Sequence, residues 1–381
     1  MTATLRGVRR LLGSPVVQAL AAPHGVDRYL ELVNPRWSLR DIRAEITDVR
    51  RGTADSVTLG LAPNGNWLGF RAGQYARFGV EIGGVRRTRC FSIASSQHRR
   101  DRRIEITVKA TAEGTVSRHL RDHARPGTVL AMSQAEGEFV LPEQRPQRLL
   151  MISGGSGVTP LMSMLRTLCD EGHRGPITFL HYARAEHDLI YRDELVALAA
   201  AHPNVRLLRA YTRPDHVGEL SGRFRREHLL AAAPDRADRA DGADRVHRAD
   251  GADPHTYLCG PEPLMDAVRE HYEVEGMADR LHAERFTLAR YAPSAGDATG
   301  RVHFAEAGTS VDNSGATLLE QAERAGLRPL YGCRMGVCMT CSRRVEAGTL
   351  RDLRTGAVHP VEDAEAQLCV SVPVGDVTVA L

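Results

Sequence analysis

The sequence predicts a multidomain chain of three folded blocks: a closed antiparallel β-barrel, an α/β domain on a parallel sheet, and a small C-terminal domain. Three observations predict it. Residues 42–141 break into short strand-like runs separated by turn residues. From Arg148 onward apolar strands alternate with helical patterns. Beyond residue 300 the pattern changes again, around a group of closely spaced cysteines. With 381 residues the chain has room for two or three domains, and its 42% hydrophobic content is ordinary for a globular protein.

Residues 1–40 precede the barrel as an extension. Arg6, Arg9 and Arg10 stand before LLGSPVVQALAAP, which has the outline of an export signal. Ser14, Pro15 and Gln18 interrupt the apolar run, so a cytosolic leader helix with a basic face is the expectation. Asn34-Pro35 marks a turn, and Trp37 is assigned to packing against the next domain or to core. The barrel block is read in RAEITDVRR, SVTLGLAP, QYARFGVEI and RIEITVKAT. Two short motifs stand in it. RTRCFSIASS contains Arg89, Phe91 and Ser92; AEGTVSRHL contains Gly114 and Ser117, with a helix expected from Ser117. A Gly and a Ser at a helix start suit a phosphate, although Ser there is more often a simple cap.

The second block opens with RLLMISGGSGVTPLMSMLRTLCD, an apolar strand, a glycine turn and a helix. Such a turn lets a phosphate approach the backbone, and the helix dipole favours its charge. The turn holds Gly154, Gly155, Gly157, Thr159 and Pro160, and it lacks the G-x-G-x-x-G dinucleotide fingerprint. PITFLHYAR, DLIYRDELVALAAAH, VRLLRAYTR and HTYLCGPEPLMDAVREHY continue the alternation. Ligands of parallel sheets sit at the strand C-terminal ends, which puts Arg184, Thr212, Arg213, Cys259 and Gly260 on one rim. Residues 231–253 repeat Arg-Ala-Asp units with almost no large apolar side chain, so a disordered insertion is expected there. ARYAPSAGDATG then reads as a hinge-like linker.

Cys333, Cys338 and Cys341 have the spacing C-x4-C-x2-C, and Cys369 follows in QLCVSV. This is the plant-type [2Fe–2S] pattern. Four thiolates must converge on one small volume, and Gly332 and Gly336 suit the sharp loop that presents three of them. Zinc prefers paired C-x2-C knuckles, and only one such pair is present. VHFAEAG, CSRRVEAGTL and VTVAL read as strands, TLLEQAERAGL as an amphipathic helix. The remaining Cys90, Cys169 and Cys259 are scattered and odd in number, which argues against a disulfide framework and for a reduced, cytoplasmic setting. A net charge of +3 gives no general pull toward nucleic acid. Arginine dominates the basic residues; Lys109 is the only lysine.

Taken together, the cysteines, RCFS, GGSGVTP and CGP resemble the ferredoxin–NADP reductase superfamily carrying a C-terminal ferredoxin domain. Residues 300–381 are similar to a plant-type ferredoxin of β-grasp fold. NPRWSLRDIRAEITDVR together with RTRCFSIASS looks closest to actinobacterial electron-transfer partners of stearoyl-CoA 9-desaturase. The resemblance implies a six-stranded FAD-binding barrel over 41–143, an NAD(P)-binding domain over 144–288, a linker over 289–300 and the ferredoxin domain over 301–381.

The family pattern also implies residue roles. Arg89 neutralises the FAD pyrophosphate, Phe91 stacks on the isoalloxazine, and Ser92 bonds near its N5. This chain has Phe91 where the family usually has Tyr, so a phenolic hydroxyl is lost. Gly114 and Ser117 match a second pyrophosphate contact; an FAD contact and a structural role both stand open for Lys109. Gly154, Gly155, Gly157, Thr159 and Pro160 match the nicotinamide-nucleotide loop. Cys259 and Gly260 match a C-G motif near the nicotinamide, with a plain buried residue as the other reading of Cys259. Glu284 and Phe286 match a segment that closes over the flavin. Thr212 and Arg213 match a Ser-Arg pair that grips the 2′-phosphate, with Arg184 and Arg223 nearby, which favours NADPH over NADH. The expected protein is a monomeric, cytoplasmic reductase; its basic leader either packs on the barrel or makes weak peripheral membrane contact. It feeds a fatty-acyl desaturase, with an oxygenase as the alternative acceptor and a redox sensor as a minor one.

Overall fold

The computed structural model describes Ser14, Val17, Ala21, and residues 25–112, 114–232, 253–286, 298–332, 334, 336 and 339–381. Within it the chain separates into two compact units, Met1–Glu284 and Arg285–Leu381. Among the described residues no helix is long and apolar enough to cross a membrane.

Helix α1 (Gly25–Val33) lies in the first unit, within the extension whose structure the sequence leaves open. It buries Val26, while Tyr29, Leu32 and Val33 are exposed; Trp37 is also exposed rather than core. Six strands follow: β1 (Ile42–Thr53), β2 (Ser56–Pro63), β3 (Tyr75–Ile82), β4 (Val85–Ser92), β5 (Ile104–Lys109) and β6 (Val129–Met132). They form one antiparallel sheet in the order β4-β3-β6-β1-β2-β5, and an Ile93–Ile106 bridge joins its two edges. Alternation drives the curl: Ile42, Ala44 and Ile46 of β1 point inward with Val57, Leu59 and Leu61 of β2. Gly83 and Gly84, at φ +58° and +76°, make the two-residue β3–β4 hairpin that positive φ requires. Helix α2 (Thr115–His123) packs Val116 and Leu120 into the barrel core. It starts at Thr115, two residues before the expected Ser117, because Gly114 supplies the extended N-cap backbone.

A second sheet in the same unit is wholly parallel. Its strands are β7 (Leu149–Gly154), β8 (Ile177–Ala183), β9 (Val205–Tyr211), β10 (Leu220–Ser221), β11 (His255–Cys259) and β12 (Leu281–Glu284). Their order is β10-β9-β8-β7-β11-β12. Helices α3 (Val158–Asp170) and α4 (Arg192–Ala201) pack on one face. Helices α5 (Arg226–Ala232) and α6 (Glu262–Val274) pack on the other. The chain winds outward from β7 to β10, then returns to β7's other edge with β11. The crevice between the C-terminal ends of β7 and β11 is therefore the topological switch point. Ala231 and Ala232, expected at the start of the insertion, instead complete α5, and Ala232 is buried because it packs in the core beside Leu229. Residues 233–252, and most of the expected linker, lie outside the described residues.

The second unit holds β13 (Arg301–Phe304), β14 (Thr309–Asp312), α7 (Leu318–Arg324), β15 (Ser342–Asp352), β16 (Val358–Gln367), β17 (Ser371–Pro373) and β18 (Val377–Val379). The sheet order is β14-β13-β18-β15-β16, with β17 also on β15, and the β13–β18 pair is parallel. Thr317 caps α7, its hydroxyl accepting from the Glu320 backbone N–H at 3.2 Å. Leu318, Leu319 and Ala322 then press on Val302 and Phe304. Strands β14 and β16 are not legible in the sequence; VHPVEDAEAQ exposes most of its residues, so alternation is faint there.

Candidate active site

Strand β4 places Arg89, Phe91 and Ser92 opposite Phe78, Ala76 and Tyr75 of β3. Phe91 is half-buried against the barrel core, its ring centroid 6.0 Å from that of Phe78. Ser92 is buried, and Arg89 is half-buried with Nη1 donating to the Thr88 carbonyl at 2.8 Å. At the α2 start, Ser117 Oγ donates to the Gly114 carbonyl at 3.2 Å and accepts from the Thr111 N–H at 3.4 Å. A Cβ on Gly114 would lie 2.2 Å from Ser117 Oγ, so no side chain fits at this helix entry.

The glycine turn after β7 divides its labour. Gly155 adopts φ +53°. Gly154 and Gly157 are packing glycines: an added Cβ would meet Pro261 Cδ at 2.7 Å and the Cys259 carbonyl oxygen at 2.1 Å. Gly260 is less tightly held, its would-be Cβ 3.1 Å from Gly154 N. The turn and the Cys259–Gly260 corner thus interlock across the switch point. Thr159 Oγ1 donates to the Ser156 carbonyl at 2.9 Å, and Pro160 sits in the first turn of α3, where an N–H has no intrahelical partner anyway.

A cavity of about 650 Å³ opens at this point. One wall comes from the barrel block, through Asp55, Lys109 and Ala110; the other comes from Gly154, Gly155, Arg184, Thr212, Arg223 and Phe224 of the parallel-sheet block. Lys109 is placed here, its Nζ 3.7 Å from a Cβ built on Gly155 and 3.5 Å from Asp55. Arg184 reaches Asp55 at 3.5 Å and Asp188 at 3.2 Å. Thr212 and Arg213 donate their backbone N–H groups to Ala183 and Arg184 carbonyls, and both are exposed. Thr212 lines the cavity; Arg213 does not. Asp55, Asp188 and Phe224 escaped sequence reasoning because nothing local marks residues that meet only across the fold.

Across the parallel sheet, register sets Glu284 beside Cys259, Cys259 beside Ser153, and Ser153 beside His181. Ser153 Oγ and His181 Nδ1 are 2.6 Å apart in the interior. Burial, aided by the Lys109 ammonium, pulls the His181 pKa down to about 4, so its imidazole is neutral. Burial raises the Cys259 thiol well above its ordinary range, with the Glu284 carboxylate adding to it. Glu284 is only half-buried as a residue, yet its Oε2 is enclosed without a hydrogen-bond partner, and burial pushes its pKa up to about 8. A carboxyl with a raised folded pKa contributes fully below its ordinary value of 4.5, and this contribution is lost as pH rises toward 8. Glu284→Gln is therefore expected to match the parent in Tm near pH 4 and to exceed it progressively up to pH 8. Calorimetry over that window checks this, and a pH-independent difference contradicts it.

In the second unit Cys341 and Cys369 are buried, at 1% and 4% exposure, whereas Cys333 and Cys338 lie outside the described residues. With two of the four cysteines described, no group of three or more metal-binding side chains is found among the described residues. The Gly336 N–H donates to Cys369 Sγ at 3.3 Å, and a Cβ on Gly336, at φ +73°, would meet Val370 at 2.6 Å. A backbone donor aimed at a buried cysteine sulfur is what an iron–sulfur thiolate requires, and the residues present fit that group. The Gly155 turn fits a nicotinamide nucleotide in the same sense, since its backbone lies open beside Lys109 where a phosphate must approach, whereas at Gly114 the Ser117 and Thr111 hydroxyls cover the backbone and are the groups that would face FAD.

Comparison with known proteins bears on the same three blocks. Residues 45–141 match the oxidoreductase FAD-binding domain, 151–270 the oxidoreductase NAD-binding domain, and 303–374 the 2Fe-2S iron-sulfur cluster binding domain. An NADPH oxidoreductase of Mycobacterium tuberculosis is 37% identical over 381 residues, covering 98% of this chain and 94% of that one. A glycine betaine monooxygenase reductase subunit of Chromohalobacter salexigens is 28% identical, covering 81% and 87%. The solved structure of phthalate dioxygenase reductase aligns with a TM-score of 0.55 at 24% identity, covering 89% and 97%, a likeness of fold. The chain belongs to the ferredoxin–NADP reductase superfamily, as an FAD- and nicotinamide-nucleotide-dependent oxidoreductase with a C-terminal plant-type [2Fe–2S] ferredoxin domain.

Proposed function

We propose that the protein takes electrons from NADPH and delivers them singly to a separate oxygen-activating iron enzyme. The observation that carries the reading is the cavity at the β7–β11 crevice, walled by both the barrel and the parallel sheet. A nucleotide held there lies against the block that carries Arg89, Phe91 and Ser92. Bound FAD supplies the exchange between two-electron hydride chemistry and one-electron transfer to a cluster. The chain's residues do the rest. Gly154 and Gly155 present backbone to the nucleotide pyrophosphate at the cavity wall, with the buried Gly157, Thr159 and Pro160 setting the turn and the start of α3 behind them. Cys259, Gly260, Ser92, Glu284 and Phe286 shape the nicotinamide end. Arg89, Gly114 and Ser117 hold the FAD diphosphate, with Phe91 against the flavin ring. Cys333, Cys338, Cys341 and Cys369 ligate the cluster. Lys109, beside Gly155, is assigned to the nucleotide cavity rather than to FAD. The working domain boundaries are 41–143, 144–288 and 301–381.

NADPH is preferred because Thr212, Arg213, Arg184 and Arg223 concentrate positive charge and donors on one rim. Losing a charged hydrogen bond costs about 1.5–3 kcal/mol, roughly ten- to a hundredfold. Arg223→Ala, on the cavity wall, is expected to raise KM for NADPH by that factor and to leave NADH nearly unaffected, with a smaller effect from the exposed Arg213. Equal use of both nucleotides by the parent protein contradicts the assignment.

For the acceptor, an iron oxygenase is the first reading, supported by the monooxygenase reductase subunit among the relatives. A membrane-bound acyl desaturase is the second, supported by the resemblance of residues 30–96 to desaturase partners. Arg6, Arg9 and Arg10 suit weak, reversible contact with an anionic membrane at about 1 kcal/mol each. A monomer working at the cytoplasmic side follows from either reading. NADPH-driven turnover with a purified soluble oxygenase, set against turnover with acyl-CoA and desaturase-containing membranes, separates the two.

A further inference from the structure

Arg354 lies in the turn after β15, outside the cysteine loop and unmarked by any motif. Asp352 holds it from one side, accepting from Nε at 3.0 Å and from Nη2 at 2.6 Å. The opposite edge of the fork faces the cysteine loop: Nη1 donates to the Gly336 carbonyl at 3.0 Å and to Gln367 Oε1 at 2.9 Å. Gly336 is the residue whose N–H reaches Cys369 Sγ at 3.3 Å. Gln367 lies two residues before Cys369 and pairs with Ser342, the neighbour of Cys341, across β15 and β16. Leu353, beside Arg354, donates its N–H to the Val370 carbonyl at 2.9 Å. Asp352 is largely covered, at 17% side-chain exposure, whereas the Arg354 side chain is partly open at 44%.

We propose that Arg354, clamped by Asp352, is a positioning residue for the [2Fe–2S] cluster. It fixes Gly336 so that its N–H stays on the Cys369 sulfur. Two physical effects run the same way. An N–H bond to a cluster sulfur stabilises the more negative, reduced state, and so does a cation nearby. Removing the guanidinium weakens both, so the cluster becomes harder to reduce. The planar fork matters as much as the charge, because three acceptors in different directions are met by one rigid group; a lysine ammonium lacks that geometry.

The inference rests on assigning the four cysteines to a [2Fe–2S] cluster. The test uses the full-length, cluster-loaded protein, with Arg354→Gln and Arg354→Lys. Two quantities are measured: the rate of cluster loss to an iron chelator under anaerobic reducing conditions, and the midpoint potential by EPR-monitored titration. Flavin content and thermal unfolding report folding. Arg354→Gln is expected to lose its cluster about tenfold faster, the scale of disturbed outer-shell contacts at metal sites. At the parent's midpoint it should hold about tenfold more oxidised than reduced cluster, or about 59 mV for a one-electron couple. Arg354→Lys should lose its cluster faster than the parent while keeping a potential nearer to it. A loss rate within twofold of the parent together with an oxidised-to-reduced ratio at the parent's midpoint within twofold, or about 18 mV, for Arg354→Gln overturns the proposal. Where Arg354→Gln assembles no cluster, Arg354→Lys decides, and a parent-like loss rate in it overturns the proposal. A parent protein without iron overturns the cluster assignment and this proposal together; an iron-loaded parent with indifferent variants overturns the proposal alone.

Discussion

Replacing Cys369 by serine is expected to abolish the cluster and bring electron delivery to cytochrome c down to background, while NADPH-to-ferricyanide turnover continues. Ferricyanide takes electrons from reduced flavin directly, whereas cytochrome c depends on the one-electron relay. Cys369 is buried and already receives a backbone N–H from Gly336, so its sulfur is not replaceable by a neighbour. A serine oxygen is a harder ligand and a poor substitute for thiolate toward an iron–sulfur cluster. The lesion lies in the second compact unit, and the barrel and parallel sheet belong to the first, so the hydride half keeps its own core. Cys338→Ser should behave alike. Iron analysis with both assays checks this; loss of the ferricyanide reaction in a folded variant contradicts the serial arrangement.

Arg166→Ala should cost about 3–5 kcal/mol, the scale for orphaning one partner of a buried ion pair. Arg166, on α3, donates to Glu105 of β5 at 2.8 Å, to the Ala94 carbonyl at 2.7 Å, and to both oxygens of Glu194 on α4 at 2.7 and 2.6 Å. Its guanidinium also lies over the Tyr191 ring, 5.0 Å from the centroid, and the Tyr191 hydroxyl reaches Glu105 at 3.2 Å. This network ties the barrel to the parallel-sheet block. Burial alone would raise the Glu105 pKa, but Arg166 and Arg50 hold it below the ordinary carboxylate range. Its stabilising contribution is therefore present at neutral pH and lost as pH falls through that lowered pKa. Without Arg166 the buried carboxylate keeps only the half-exposed Arg50 as a partner at pH 7 and is relieved by protonation in acid. The deficit should be on the order of 10 °C in Tm at pH 7 and shrink toward about pH 4. A variant as stable as the parent at pH 7 contradicts the role assigned to this network.

The parts legible in the sequence were those with local grammar. Cys333 to Cys341 follow a fixed spacing, and GGSG between an apolar strand and a helix announces its turn. The β1 segment alternates visibly, because one of its faces is partly open to solvent; β2 alternates in sequence although Ser56 and Thr58 are themselves buried. Other parts have no local grammar. Glu105 reads as one more polar residue in a strand, and Arg166 as one more arginine in a helix; only the fold sets them 2.8 Å apart. Lys109 was noticed for its rarity but left between two roles, since its neighbour Gly155 is distant in sequence. Arg213 shows the reverse: the motif marks it plainly, yet the fold leaves it exposed and off the cavity wall. Strand β16 hides because its exposed run of charged residues carries little alternation.

The central claim is that electrons pass from the nucleotide through flavin to the cluster. Anaerobic stopped-flow mixing with one equivalent of NADPH, followed by freeze-quench EPR, tests it most directly. The flavin absorbance should fall first, and the EPR signal of the reduced cluster should grow only afterwards. In Cys369→Ser the first phase should persist at its parent rate and the second should vanish. A cluster signal that rises before flavin is reduced, or that grows in a chain stripped of flavin, would contradict the account.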